Sequence, residues 1–368
     1  MWKALQGGLS AIAGTAEPEY GSEAIHPVGS EISAVSTDDL CLKSPSSTNV
    51  ETMTFYFTDV ENDKGGFIQI IHSNVMGLQI TAQVNFKLFN RLNFKEEEMI
   101  WKSVKLENFE IVNGHDFKAD GLLIELIGNS QYKISAKVDD ECQVDFTFDK
   151  VGDGVKFGND GTTLYGSDIN EPWGSMRHIF WPRSEINGSV LFKGDKVQIN
   201  NAIGMYVLAL QGMKPHHAAA AWDFLNYQSL NYSVVIMEFT TPPSYGKTKV
   251  SLGIVVDSKG QLIAASSKNV KVEHFETEND ESSGWQVPTK ISYSIDDKVK
   301  VNGNLERLIE RVDVMAEIPT FVKNIASAAS GTKPFIYQFG NMVSLEFGDV
   351  KEEGWGYSET TFISSLDS

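Results

Sequence analysis

The stretch LQITAQVNFKL (78–88) sets Leu78, Ile80, Ala82, Val84, Phe86 and Leu88 in strict alternation with Gln79, Thr81, Gln83, Asn85 and Lys87. A period of two sends one set to each side of an extended chain, so this is a long strand with one face in a core. The same alternation runs through Met53, Phe55 and Phe57, through Tyr132, Ile134, Ala136 and Val138, and through Val144, Phe146 and Phe148. Gly, Asn and Asp turns separate these runs with no helical pattern between them, which predicts an antiparallel barrel or sandwich. Eleven alternating residues exceed the usual strand of five or six, and the excess favours a barrel.

Period-two segments resume after residue 182, at 187–192, 196–200 and 205–210, and continue through 232–240, 249–256, 291–295, 308–314, 334–339, 342–347 and 358–363. The chain of 368 residues fits two cores of ordinary size. The expected division is a terminal helix over 1–16, a tether over 17–49 rich in Ser, Pro, Gly and acids, one all-β domain over 50–182 and a second over 183–368. Short helices are expected at 215–227, where Pro215 opens an alanine-rich run, and at 320–330, closed by Gly331.

The first sixteen residues carry Lys3 and no acid, with Trp2, Leu5, Leu9 and Ile12 at helical spacing. On a helix they fall within roughly a 100° arc. Gly7 and Gly8 each cost about 1 kcal/mol of helix stability, so the segment needs an apolar surface to fold on. That surface is either its own domain or a bilayer interface into which Trp2, Leu5, Leu9 and Ile12 insert. The rest of the chain is acidic, giving a net charge of −18, which repels nucleic-acid phosphate. No run of 18 apolar residues occurs to span a bilayer. Two isolated cysteines, Cys41 and Cys142, make neither a disulfide framework nor a redox or zinc motif, which fits the cytoplasm.

Residues 171–183, EPWGSMRHIFWPR, concentrate Trp173, Met176, Arg177, His178, Phe180, Trp181 and Arg183. Such density suits either domain cement or the rim of an apolar pocket with a few polar groups. His216 and His217 invite a metal reading, but adjacent residues on a helix point about 100° apart and neither has a second ligand at helical spacing. No metal or cofactor is expected. No nucleophile elbow, zincin or phosphate-loop motif occurs either.

The segments NVETMTFYFTD (49–59), EPWGSMRHIFWPR (171–183), GMKPHHAAAAWDF (212–224), RVDVMAEIPTFVKNIASAASGTKPFIYQF (311–339) and QGGLSAIAGTAEPEYG (6–21) closely resemble the fungal survival-factor family, nearly end to end. The resemblance implies two tandem lipocalin-like barrels and a non-enzymatic carrier of ceramides between endoplasmic reticulum and Golgi. The carrier would be cytosolic, peripheral on those membranes, with the nucleus as a further location. It also implies a part in sphingolipid homeostasis and survival of oxidative stress, and acetylation of Met1. Family members can carry a long acidic insertion where Lys196 here runs directly through Asn201 to Met205.

On this reading Arg177, His178, Tyr206 and His216 are the candidates for the lipid headgroup, and Trp173, Met176, Trp181, Met205, Trp222 and Met237 for the apolar lining. The alternative is an enzyme of the carotenoid-hydratase tandem-barrel type, with His178, His216 or Asp223 as acid or base.

Overall fold

In the computed structural model, residues 19–75, 77, 79–314 and 332–366 are described. They are almost entirely β-strand and divide into two compact units. The terminal segment 1–16 and the helix expected at 320–330 lie outside the described residues.

The first unit comprises Glu19, residues 31–213 and the turn 258–261. Four strands form a meander, Asn49–Asp59, Lys64–Val75, Gln79–Asn90 and Ile100–Leu106, and a second meander runs from Glu110–Val112 through Asp116–Ala119, Leu122–Ile127 and Gln131–Lys137 to Cys142–Lys150. The long hairpin Gly174–Phe192 and Asp195–Gln211 joins them, pairing with Cys142–Lys150 on one side and Asn49–Asp59 on the other.

The two edges of this sheet, Ile100–Leu106 and Glu110–Val112, are separated only by residues 107–109. Such a link spans at most about 15 Å. Strands about 4.8 Å apart would put the edges of a flat sheet of this size more than about 40 Å from each other. The sheet must therefore curl into a barrel, and the alternating residues fill it: Met53, Phe55, Ala82, Val84, Phe86, Ile134, Val144 and Phe148 are all buried in one cluster.

The second unit, residues 20–30, 214–257 and 262 onward, repeats the topology. Its sheet runs from Leu262–Ser266 through Lys249–Asp257, Tyr232–Thr240 and Ala221–Gln228 to Val350–Ser364, Thr332–Phe347, Val299–Asn304, Gln286–Ile295 and Val270–Asn279. Its edges, Leu262–Ser266 and Val270–Asn279, are again joined by three residues, 267–269. Each unit is an up-and-down barrel whose first long strand pairs with its last.

Three expectations are corrected. Of the expected tether over 17–49, the described residues from 19 onward are packed and not free: Ile32–Ala34 pairs with Val155–Phe157, and Leu40 and Leu42 enter the first core. A domain boundary at 182/183 is excluded, because Gly174–Phe192 is one strand across it, and the first unit closes at Met213. The hairpin is what completes that barrel, so residues 187–210, including the 196–205 stretch, belong to it. The helix expected at 215–227 shrinks to Pro215–Ala218. Residues Ala221–Gln228 are instead a central strand bonded on both sides, and two ladders outweigh the helix propensity of four alanines.

Candidate functional site

On the hairpin strand Gly174–Phe192, alternation puts Arg177, Ile179 and Trp181 on the barrel side and Met176, His178 and Phe180 on the other. Cross-strand register extends each inward position into a row around the wall. One row runs Trp181, Tyr206, Phe55, Ile68, Phe86, and another runs Arg177, Leu210, Glu51, His72, Ala82, Leu106.

The Trp181 row meets Tyr132 and Phe148 from the two strands that follow on the other side of the hairpin, Gln131–Lys137 and Cys142–Lys150. Ring centroids lie 5.1 Å apart for Tyr132 and Trp181, 5.1 Å for Tyr132 and Tyr206, 5.3 Å for Trp181 and Tyr206, and 4.6 Å for Phe55 and Tyr206. The barrel is thus crossed by an aromatic layer at its centre. The hydroxyls of Tyr132 and Tyr206 and the Trp181 Nε1–H are buried without a hydrogen-bond partner, the two hydroxyls lying close to each other but out of bonding geometry. Burial pushes both tyrosines well above the ordinary phenol pKa, so they stay neutral donors. Leaving polar groups without well-formed hydrogen bonds in an apolar interior is costly, at about 1–3 kcal/mol each.

The Arg177 row is a charged layer beneath a strap formed by residues 36–44. Arg177 donates through Nε to the Asp160 carbonyl at 2.9 Å and through Nη2 to the Asp39 carbonyl at 2.5 Å. Glu51 accepts the backbone N–H groups of Lys43 and Ser44, each at 2.7 Å. Burial nevertheless raises the Glu51 pKa, as the largest influence on it. Asp39 takes bonds from Ser36 and from Lys156 Nζ at 2.8 Å, and these outweigh burial to hold its carboxyl below the usual range. Between these anchors the strap lowers Leu40 and Leu42 into the barrel as a stopper.

Of the residues proposed from sequence, Arg177, Trp181 and Tyr206 converge in this interior. Met176, His178 and Met205 occupy the opposite face of the same hairpin, buried there as well. His178 stacks on Phe180 at 6.2 Å, and burial, aided by the Arg177 charge, pushes its pKa down to about 3. Trp173 precedes the strand and packs edge-on against Tyr165 at 5.7 Å.

The remaining candidates lie in the second unit. His216 abuts His217 at 4.1 Å, and the His217 Nδ1 is 3.2 Å from the Tyr245 hydroxyl. Among the described residues no group of three or more metal-ligating side chains forms. Trp222 stacks on Phe239 at 5.4 Å, and Met237 shares that outward face of the second barrel. Asp223, one residue on, points into it. Within each unit the candidates are thus divided between the inner and outer faces, because neighbours along a strand take opposite faces.

Sequence reasoning missed Tyr132, Glu51 and the Leu40–Leu42 stopper. Glu51 had a visible signal: a carboxylate in phase with Met53, Phe55 and Phe57 is an acid at a core position.

The comparisons with known proteins extend this picture. The Svf1 family profile matches residues 2–364. The chain is 51% identical to the ceramide-binding protein SVF1 of Candida albicans, covering 99% of this chain and 100% of the relative. It is 42% identical to the protein of that name from Yarrowia lipolytica, covering 99% and 100%. Among solved structures it resembles a putative AttH from Nitrosomonas europaea, with TM-score 0.60, 12% identity and coverage of 89% and 97%. It also resembles kievitone hydratase from Nectria haematococca, with TM-score 0.56, 13% identity and coverage of 94% and 99%. At such identities these two bear on the fold alone, a tandem pair of lipocalin-like barrels. Family profile and full-length relatives agree that this chain is a member of the Svf1 family.

Proposed function

We propose that this protein binds ceramide in its first barrel and carries it, without turnover, between endoplasmic reticulum and Golgi membranes. The observation behind the reading is the trio of neutral, unpartnered donors on Tyr132, Tyr206 and Trp181 inside an apolar barrel. A ceramide headgroup has an amide carbonyl and two hydroxyls and no charge, so it matches neutral donors where a phosphate would not. The names of the relatives point the same way. Each methylene transferred from water into a dry barrel contributes about 0.8 kcal/mol, so the acyl and sphingoid chains together offset the displacement of Leu40 and Leu42.

The terminal segment, through Trp2, Leu5, Leu9 and Ile12, supplies reversible membrane contact on this reading, with Met1 acetylated. A protein so placed would be cytoplasmic and peripheral on both membranes. Survival of oxidative stress would follow indirectly, through control of free ceramide.

The test is lipid mass spectrometry on the full chain purified from eukaryotic cells, paired with ceramide transfer between liposomes. Near-stoichiometric ceramide and protein-dependent transfer are expected. Lipid-free protein that transfers none would overturn the proposal.

A further inference from the structure

The second barrel contains a separate constellation that lipid carriage in the first barrel does not use. In the strand Ala221–Gln228, Leu225 and Tyr227 lie in the core, so Asp223 shares their inward face. Cross-strand register makes it the middle of an inward row of polar side chains: Tyr337, Thr360, Asp223, Glu238, Ser251. From the opposite wall His274, in phase with the core residues Val270 and Val272, sets its Nε2 3.0 Å from Asp223 Oδ1. The Thr360 hydroxyl donates to the same oxygen at 2.7 Å.

Two further hydroxyls complete the cluster. Tyr293 pairs across from Val272, its hydroxyl within the field of the Asp223 carboxylate, and Ser358 pairs across from Leu225. Both residues are 1% exposed, and their hydroxyls lie close to each other but out of good bonding geometry, with no other hydrogen-bond partner. Water reaches the layer above them, where the side chains of His274 and Asp223 are 24% and 13% exposed. The same end of the barrel has an aromatic wall: Trp285 stacks on Phe362 at 5.0 Å, Phe362 meets Tyr337 edge-on at 6.0 Å, and Phe335 lies 6.4 Å from Tyr337.

An ion pair that only plugged the barrel end would leave no reason for two unmatched hydroxyls in its interior, since each costs about 1–3 kcal/mol. An aromatic wall with a few convergent polar groups is the ordinary composition of a small-molecule site. Each of these carboxylates has a partner, Asp223 with His274, Glu238 with Lys249 at 2.7 Å, and Asp280 with Arg311 at 3.1 Å, so none is left free to hold a cation.

We infer that this end of the second barrel binds an uncharged, hydroxylated ring compound, its ring on the wall of Trp285, Phe335, Tyr337 and Phe362 and its hydroxyl among Asp223, Tyr293 and Ser358. The hydroxyl donates to the carboxylate and accepts from Tyr293. This site is independent of the ceramide reading and adds a second ligand class to the molecule.

The probe is 2-naphthol, titrated calorimetrically into the full chain and followed by fluorine NMR with 5-fluorotryptophan, the Trp285 signal being assigned from Trp285→Phe. Saturable one-to-one binding with a shift of the Trp285 resonance is expected. Tyr293→Phe, which deletes one buried oxygen, should weaken binding by ~5-fold or more, the equivalent of one hydrogen bond. Asp223→Asn should do likewise, and ceramide transfer by Tyr293→Phe should be unchanged. Absence of saturable binding, which would leave ordered water as the occupant, would overturn the inference. So would equal affinity in Tyr293→Phe and Ser358→Ala, or an unmoved Trp285 signal. Loss of ceramide transfer in Tyr293→Phe would merge the two ligands into one site and sink the claim of a separate one.

Discussion

At the scale of single residues, Tyr132 and Tyr206 are the pair on which the proposed ceramide site rests. Their rings pack as any core aromatics would, but their hydroxyls have no partner. Replacing both with Phe removes two unmatched groups. Urea unfolding should therefore report stability unchanged or raised by about 1 kcal/mol. Ceramide recovered with the purified protein should fall several-fold; a Phe pair that holds ceramide at the wild-type ratio would remove these hydroxyls from the site.

His178 carries a prediction of a different kind. Its folded pKa is pushed to about 3 by burial and by Arg177, whereas an unfolded histidine titrates near ~6.5. Below that value the unfolded chain takes up a proton that the folded one refuses, so stability is lost as pH falls from about 6.5 towards about 3. His178→Phe keeps a ring against Phe180 and should flatten this part of the acid limb in urea midpoints measured from pH 7 to pH 4. An unchanged slope would mean that His178 is protonated in the folded state.

At the scale of elements, the long hairpin must bend to close the first barrel, and it does so at two register shifts, between Trp181 and Ser184 and between Ile186 and Gly188. Gly188 takes φ 148°, and a side chain at Gly204 would collide with the Tyr56 carbonyl and the Ile186 side chain. Backbone cannot yield as a flexible side chain can. Gly204→Ala should therefore cost roughly 1–3 kcal/mol and shift the denaturation midpoint accordingly.

The strap is the second element with a clear energetic signature. Leu40 is fully buried among first-barrel residues, and Leu40→Ala should cost about 2–5 kcal/mol if the strap stays closed in the unliganded protein. A cost below about 1 kcal/mol would show a stopper already displaced in solution. Ceramide loading on this variant should be faster than on the wild type.

At the scale of the molecule, a net charge of −18 opposes anionic bilayers, and the segment at 1–16 offers only Lys3 in compensation. Membrane contact through Trp2, Leu5, Leu9 and Ile12 should then be apolar in origin. Flotation with neutral, loosely packed liposomes should be lost on deleting residues 1–16, and in Trp2→Asp with Leu5→Asp. It should not weaken as salt is raised to about 0.5 M, where charge-driven binding would be screened. Salt-sensitive flotation would assign the contact to a basic patch on the body.

Alternation alone determined that this chain is all-β, that its strands are barrel-length and that Phe55, Val84, Phe86, Tyr132 and Phe148 face a core, because a period of two is a local property of extended backbone. Its limits are equally local. Ile80 follows the pattern yet is 53% exposed, and Lys87, on the polar phase, is buried with its ammonium 4.6 Å from the centre of the Trp101 ring. Only the tertiary structure decided where the first barrel ends, since closure depends on which distant strand accepts the hairpin at 174–211. It alone split Arg177 from His178 by face, turned AWDF from helix into a central strand, and carried Tyr132 to Trp181 and His274 to Asp223. Those last two pairs join residues some fifty positions apart in the chain, and no local signal records a contact that exists only once a sheet has curled.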